Sequence, residues 1–211
     1  GNQSEVLFVS SNISDFAKDW SLPVEDLQFW VCIHQLVHHV ILNIPHVAAR
    51  INELINEYVS NFAPNSEAIE DHIRSVDPMD PNSIQIVLDD PNAILGALQT
   101  PAQEGAFRKL EAIVSVLEGY VDWVVETTGS KLIASFGQLT EALMRRRVEE
   151  TDADRFVERL LGFSLGQAQY DRGTAFVAGV IERAGEAELA RLWESAENLP
   201  TPAEADAPGL W

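Results

Sequence analysis

Two histidines four residues apart stand in the run Trp30-Val31-Cys32-Ile33-His34-Gln35-Leu36-Val37-His38-His39. On a helix, side chains at i and i+4 project from one side, one turn above the other. Such a pair is the zinc-holding half of the His-Glu-x-x-His motif, whose glutamate takes a proton from water. Here Gln35 occupies that general-base position. An amide accepts no proton near neutral pH, so the run offers the scaffold of a metal site without its base.

Catalytic zinc usually takes three protein ligands and a water. The third ligand is sought among the remaining histidines and the acids, and Glu118-Gly119-Tyr120-Val121-Asp122 stands out. Glu118 and Asp122 are four apart, beside the apolar stripe Val114, Leu117 and Val121. Helix geometry aims both carboxylates at the core edge, where an unpaired charge is expensive. Metal on Glu118, and a histidine N–H donated to Asp122, would satisfy them. The pairing spans the 80 residues between His38 and Glu118. His39 faces another direction and is assigned to the surroundings of the site or to the surface. Tyr120 is a weak candidate for steadying an oxyanion, since a tyrosine on an apolar helix more often packs. Glu111 and Glu126 lie about two turns from Glu118, too far for an obvious role as base. His46 and His72 read as solvent-facing or capping groups.

The elements that must position these residues are mostly helices. Ser21-Leu22-Pro23-Val24-Glu25-Asp26 has a hydroxyl cap, a first-turn proline and acids at the positive end of the dipole. It opens a helix from about Pro23 to Leu42 that is apolar on nearly every face, which predicts an interior position. Before it, Glu5 to Val9 is β-branched and aromatic and reads as a strand ended by Ser10-Ser11-Asn12. After Asn43-Ile44-Pro45, the spacing of Val47, Ile51, Leu54, Ile55 and Tyr58 predicts an amphipathic helix. Ala63 to Thr100 is punctuated by prolines and reads as an irregular connection with short helices. A strong helix is predicted from about Glu104 to Thr127, stopped by Gly129. Further helices are predicted at Gly137 to Arg147, Asp152 to Leu161, Tyr170 to Ala184 and Glu186 to Ala196. The pattern gives a mainly α, multi-helix single domain over 1–198 with at most one or two short strands. A proline-rich tail, 199–211, should pack on or near the surface.

Composition narrows the partners. The net charge of -19 repels nucleic acid and anionic membranes, so neither is expected as a partner; a peptide or protein substrate or partner stays open. No stretch approaches the roughly 18 apolar residues that span a bilayer. Cys32 is the single cysteine, so no internal disulfide forms; it reads as a buried apolar thiol in a reducing, cytoplasmic setting.

The order and spacing of several stretches resemble a bacterial family of zincin-like metallopeptidases (type 2), some of whose members carry hydrolase or coenzyme F420 biosynthesis labels. The matching stretches are Asp19-Trp20-Ser21-Leu22-Pro23, Trp30 to His34, and Leu117 to Asp122. Arg145-Arg146-Arg147, Leu160-Leu161-Gly162-Phe163, Gln169-Tyr170 with Gly173 and Phe176, and Leu199-Pro200-Thr201 follow in order. The resemblance implies a helical zincin-like fold with zinc on His34, His38 and Glu118, and Asp122 behind a histidine. Gln35 departs from the family pattern, as do the mere 33 residues before His34, where members carry a longer N-terminal portion. No glycine-rich strand-to-helix turn supports a deazaflavin or phosphate site. Two readings remain open: a zinc site with impaired or absent hydrolysis, or a metal-free interaction or scaffold protein of the same fold.

Overall fold

The computed structural model describes residues 6–61, 100–148 and 166–211. The described residues are helical and contain no strand. In chain order they form α1 (Ser10–Asp19), α2 (Val24–Leu42), α3 (Pro45–Ser60), α4 (Pro101–Leu132), α5 (Phe136–Val148) and α6 (Gln167–Ala184). Two 3₁₀ stretches (Glu186–Trp193 and Ala196–Asn198) and α7 (Pro202–Asp206) complete them. The chain divides into two compact units, and the division falls within α3 and α4. The larger holds the described residues up to Ile51, from Glu111 to 148 and from 166 onward; the smaller holds Asn52–61 and 100–Leu110. No single described helix is long and apolar enough to cross a membrane; α2 and α3 reach that measure only as a pair bent by 81°.

Within the larger unit, one core cluster joins Ala112 and Val116 of α4 to Phe176, Val177 and Val180 of α6. Leu189, Leu192 and Ala205 close it from the C-terminal segments. The two helices meet backbone to backbone. A Cβ on Gly173 would stand 1.8 Å from the Ser115 carbonyl oxygen, and one on Gly119 would stand 2.2 Å from the Gly173 carbonyl carbon. Only glycine at both positions permits that approach. A second cluster gathers Ala17 of α1, Leu27 of α2, Ile133 just after α4 and Leu139 of α5, with Trp30 and Val31 against it. Asp26, in the first turn of α2, accepts hydrogen bonds from the backbone N–H and the hydroxyl of Ser135 at 2.9 and 2.6 Å. That pair moors the histidine helix to the corner between α4 and α5. In the smaller unit, Gln103 is buried and donates to the Tyr58 carbonyl at 3.3 Å.

Several expectations need correction. Residues 6–9 form no strand, and Leu7 and Val9 stand exposed; β-propensity without a neighbouring strand supplies no ladder. Instead α1 begins at Ser10, with Ile13, Phe16 and Ala17 turned inward. Ser21 makes no side-chain cap; it sits at φ 52° in the link, and Pro23 precedes the helix. The histidine helix is not interior. Only Leu27 and Ile41 are buried in α2, while Leu36 and Val40 are 54% and 63% exposed, because its neighbours cover one side. Cys32 is correspondingly half-buried rather than buried. Gly129 does not stop α4, which continues to Leu132. Its missing side chain makes room for the Phe136 ring, which a Cβ would meet at 2.6 Å.

The segment from Glu186 winds as 3₁₀ turns rather than an α-helix. Within residues 199–211, Ala205 lies in the first cluster and Trp211 packs edge-on against Phe176 at 5.6 Å. The Trp211 indole N–H donates to the Asn198 carbonyl at 2.8 Å, and a Thr201/Glu204 capping box starts α7. The helix expected at Asp152 to Leu161, most of the connection from Ala63 to Thr100, and His72 lie outside the described residues.

Candidate metal centre

Three donors converge within the larger unit. A ring nitrogen of His34, one of His38 and a carboxylate oxygen of Glu118 all lie within 4.8 Å of one another. Each of the three residues is partly buried. Trp30, His34 and His38 occupy successive turns of α2 and stack in a ladder, with ring centroids 4.7 and 4.5 Å apart. The indole therefore limits the rotamers open to His34, and His34 those open to His38. Glu118 comes from α4, one residue before the glycine that seats this helix on α6.

The hydrogen bonds around His38 fix its chemistry. Its Nδ1 lies 3.0 Å from the His34 carbonyl oxygen, which can only accept, so Nδ1 carries a proton. Its Nε2 lies 2.9 Å from Glu118 Oε1. A carboxylate oxygen also only accepts. Two lone pairs at that distance repel, so a proton or a metal ion must stand between them. Burial opposes charge on His38. The hydrogen bond and the charge of Glu118 outweigh it, helped by the His34 carbonyl and by Asp122. Together they hold its pKa above the ordinary histidine value.

The residues fit a zinc ion. Two imidazoles and one carboxylate are a donor set of catalytic zinc, and an Nδ1–H given to a carbonyl is the usual backing of a ligating Nε2. Zinc–ligand lengths of about 2.0–2.1 Å place tetrahedral neighbours about 3.3 Å apart, so the His38–Glu118 gap need open by only about 0.4 Å.

The remaining sequence candidates are placed as follows. Asp122 stands one turn beyond Glu118, and its charge helps to raise the His38 pKa; the Nδ1–H of His38 goes to the His34 carbonyl. Gln35 follows His34 directly and is exposed. His39 lies in the last turn of α2, outside the triad, and its carbonyl accepts from Asn43. Tyr120 packs against Trp123 and edge-on against Trp193, at 5.6 and 5.0 Å, on the far side of Gly119 in sequence from Glu118. Glu111 is engaged by Gln169 at 2.8 Å and lies 3.7 Å from Arg172. Arg145 pairs with Glu141 one turn back at 2.7 Å. His46 is neither solvent-facing nor capping through Nε2, an atom cut off from solvent and without a hydrogen-bond partner. Trp30 was the residue sequence reasoning missed; its position four before His34 was the available signal.

The family model described as zincin-like metallopeptidase matches residues 1–211. The chain belongs to this family. Among solved structures, it is similar to a protein from Chloroflexus aurantiacus described as a "putative hydrolase with a novel fold". The two share 29% identity with a TM-score of 0.69 over 97% of this chain. The zincin-like chain spans 56% of that protein's length. No curated protein matches it.

Proposed function

We propose that this zincin-like chain binds one zinc ion through His34, His38 and Glu118, and that Gln35 leaves its peptide hydrolysis weak or absent. The carrying observation is the meeting, within 4.8 Å, of two imidazoles and a carboxylate supplied from another helix. The Nδ1–H of His38, given to the His34 carbonyl, supports it, since that bond leaves Nε2 as the ligating nitrogen.

A zinc ion here would supply Lewis acidity, polarising a carbonyl and acidifying water. The protein's own residues set what can follow. Asp122 strengthens the negative field behind the imidazoles. Gln35 can donate and accept hydrogen bonds, so it can orient a water or a peptide group. It cannot carry a proton from water to a leaving amine. General-base assistance is worth about 10²–10⁴ in rate, and that factor is what the substitution removes.

Zinc analysis by mass spectrometry, after purification without added metal, tests the first half; about one zinc per chain is expected, and His38→Ala should lose it. The second half is tested by Gln35→Glu, which should raise peptide cleavage by about 10²–10⁴. If the unaltered chain already cleaves peptides as fast as the variant, the reading of Gln35 is wrong. One observation favours a metal-free interaction protein instead: the 2.9 Å His38–Glu118 contact is complete with a proton alone. That reading requires zinc-free protein from the same preparation.

A further inference from the structure

Against Trp30, whose ring also stacks on His34, lies a cavity of about 750 Å³ between α4, α5 and α6. Its walls are chiefly apolar. Trp30, Trp123, Phe136 and Tyr170 bring four aromatic rings to it, and Leu143, Val177 and Ile181 add aliphatic surface. The volume is that of pockets which take small organic ligands, about 300–1,000 Å³. His34, His38 and Glu118 do not line it. The pocket is therefore a neighbour of the metal centre rather than its interior.

The charged groups around it share one sign. Asp122, Glu126, Asp171 and Glu182 all line the cavity, and no lysine, arginine or histidine does among the described residues. The last three are exposed, so they form a rim, while Asp122 is half-buried. Asp171 accepts a 2.7 Å hydrogen bond from Gln167, which leaves its charge intact. An anionic ligand would meet four carboxylates and be repelled. A neutral apolar ligand would fill the walls and gain nothing from the rim. A cation on an apolar body uses both: the body buries against the rings, and the charge lies over aromatic faces within reach of the acids.

We infer that this cavity is a binding site for an organic ammonium compound with an aromatic or aliphatic body. The site does not depend on metal at the triad. Its volume accommodates bodies larger than a single ring.

The test is calorimetric titration of the full chain in EDTA and about 0.15 M salt, where diffuse attraction to the acidic surface is screened. The probes are 2-phenylethylammonium, 2-phenylethanol and 3-phenylpropionate, which share a body and differ in charge. The ammonium should bind at least tenfold more tightly than the alcohol, and the carboxylate should not bind measurably. Thr174→Phe and Ala178→Phe, which fill the cavity from α6, should each abolish ammonium binding. Glu126→Gln with Glu182→Gln should cut the preference for ammonium over alcohol at least threefold while the alcohol still binds. Equal affinity for all three probes would overturn the inference. So would undiminished ammonium binding to either filled variant that retains its helical circular dichroism.

Discussion

Replacing Glu118 by glutamine separates the proton from every other contribution of this residue, since shape and volume are nearly kept. In metal-free protein, below its folded pKa, His38 carries a second proton toward Glu118 across 2.9 Å, with the two side chains only 17% and 14% exposed. A hydrogen bond with charged partners in such a place contributes about 1.5–3 kcal/mol. The sign of the pH dependence follows from the direction of the His38 shift. Its folded pKa is raised above 6.5, so the contribution is fully present below 6.5 and disappears as pH rises through the folded value. Above that, neutral His38 presents an Nε2 lone pair to a carboxylate, and the contact becomes unfavourable. The substituted amide would then be the better partner, because its N–H can donate to Nε2. Urea unfolding in EDTA should find Glu118→Gln destabilised by about 1.5–3 kcal/mol at pH 5.5 and neutral or stabilised at pH 9. A penalty of the same size at both pH values would refute the reasoning, since the contact would then not be ionic.

Zinc must displace the proton on His38 Nε2, so its affinity should fall about tenfold for each pH unit below the folded pKa of that imidazole; an affinity flat from pH 5.5 to 7.5 would remove Nε2 from the ligand set. Gly173→Ala pushes a methyl to 1.8 Å from the Ser115 carbonyl oxygen and must part α4 from α6, costing about 3 kcal/mol by urea unfolding, whereas Gly137→Ala, with nothing within 4 Å, should cost nothing. The carboxyl of Asp26 is held below the usual range by its Ser135 hydroxyl and N–H bonds, so Asp26→Ala should lower the urea midpoint at pH 7 by an amount that shrinks as pH falls through the folded pKa.

The chemistry-bearing residues were legible because they are local. Histidines at i and i+4, and an acid beside an apolar stripe, declare their faces through helical period alone. The same reasoning failed for α2 as a whole. Uniform apolarity signals burial only if neighbours exist on all sides, and Phe29, Leu36 and Val40 stand exposed among the described residues. Gly129 was misjudged for a related reason. A glycine late in a helix reads as a stop, but it serves equally where a ring from a later element presses on the backbone, and Phe136 is that ring. Helix α1 was readable from Ile13, Phe16 and Ala17; the β-branched run before it and the polar Ser10-Ser11-Asn12 outweighed that spacing. Trp30 escaped notice because indoles are counted as core, and its ring contact with His34 depends on rotamers.

The triad owes its geometry to contacts that do not involve Gln35. The imidazoles are set by the Trp30–His34–His38 ladder and by the His34 carbonyl. The carboxylate is set by the glycine crossing of α4 on α6, next to Glu118 in sequence. The helix that bears the imidazoles is moored through Asp26 to Ser135. None of these touches the exposed amide one residue after His34. The arrangement of the three donors is therefore independent of the residue at position 35. At His38 Nε2 a proton and zinc compete, and the 2.9 Å His38–Glu118 gap would open by about 0.4 Å to take zinc. The residues that could hold a cation, His34 and His38 on α2 and Glu118 on α4, are thus distinct from Gln35, and their arrangement does not depend on it.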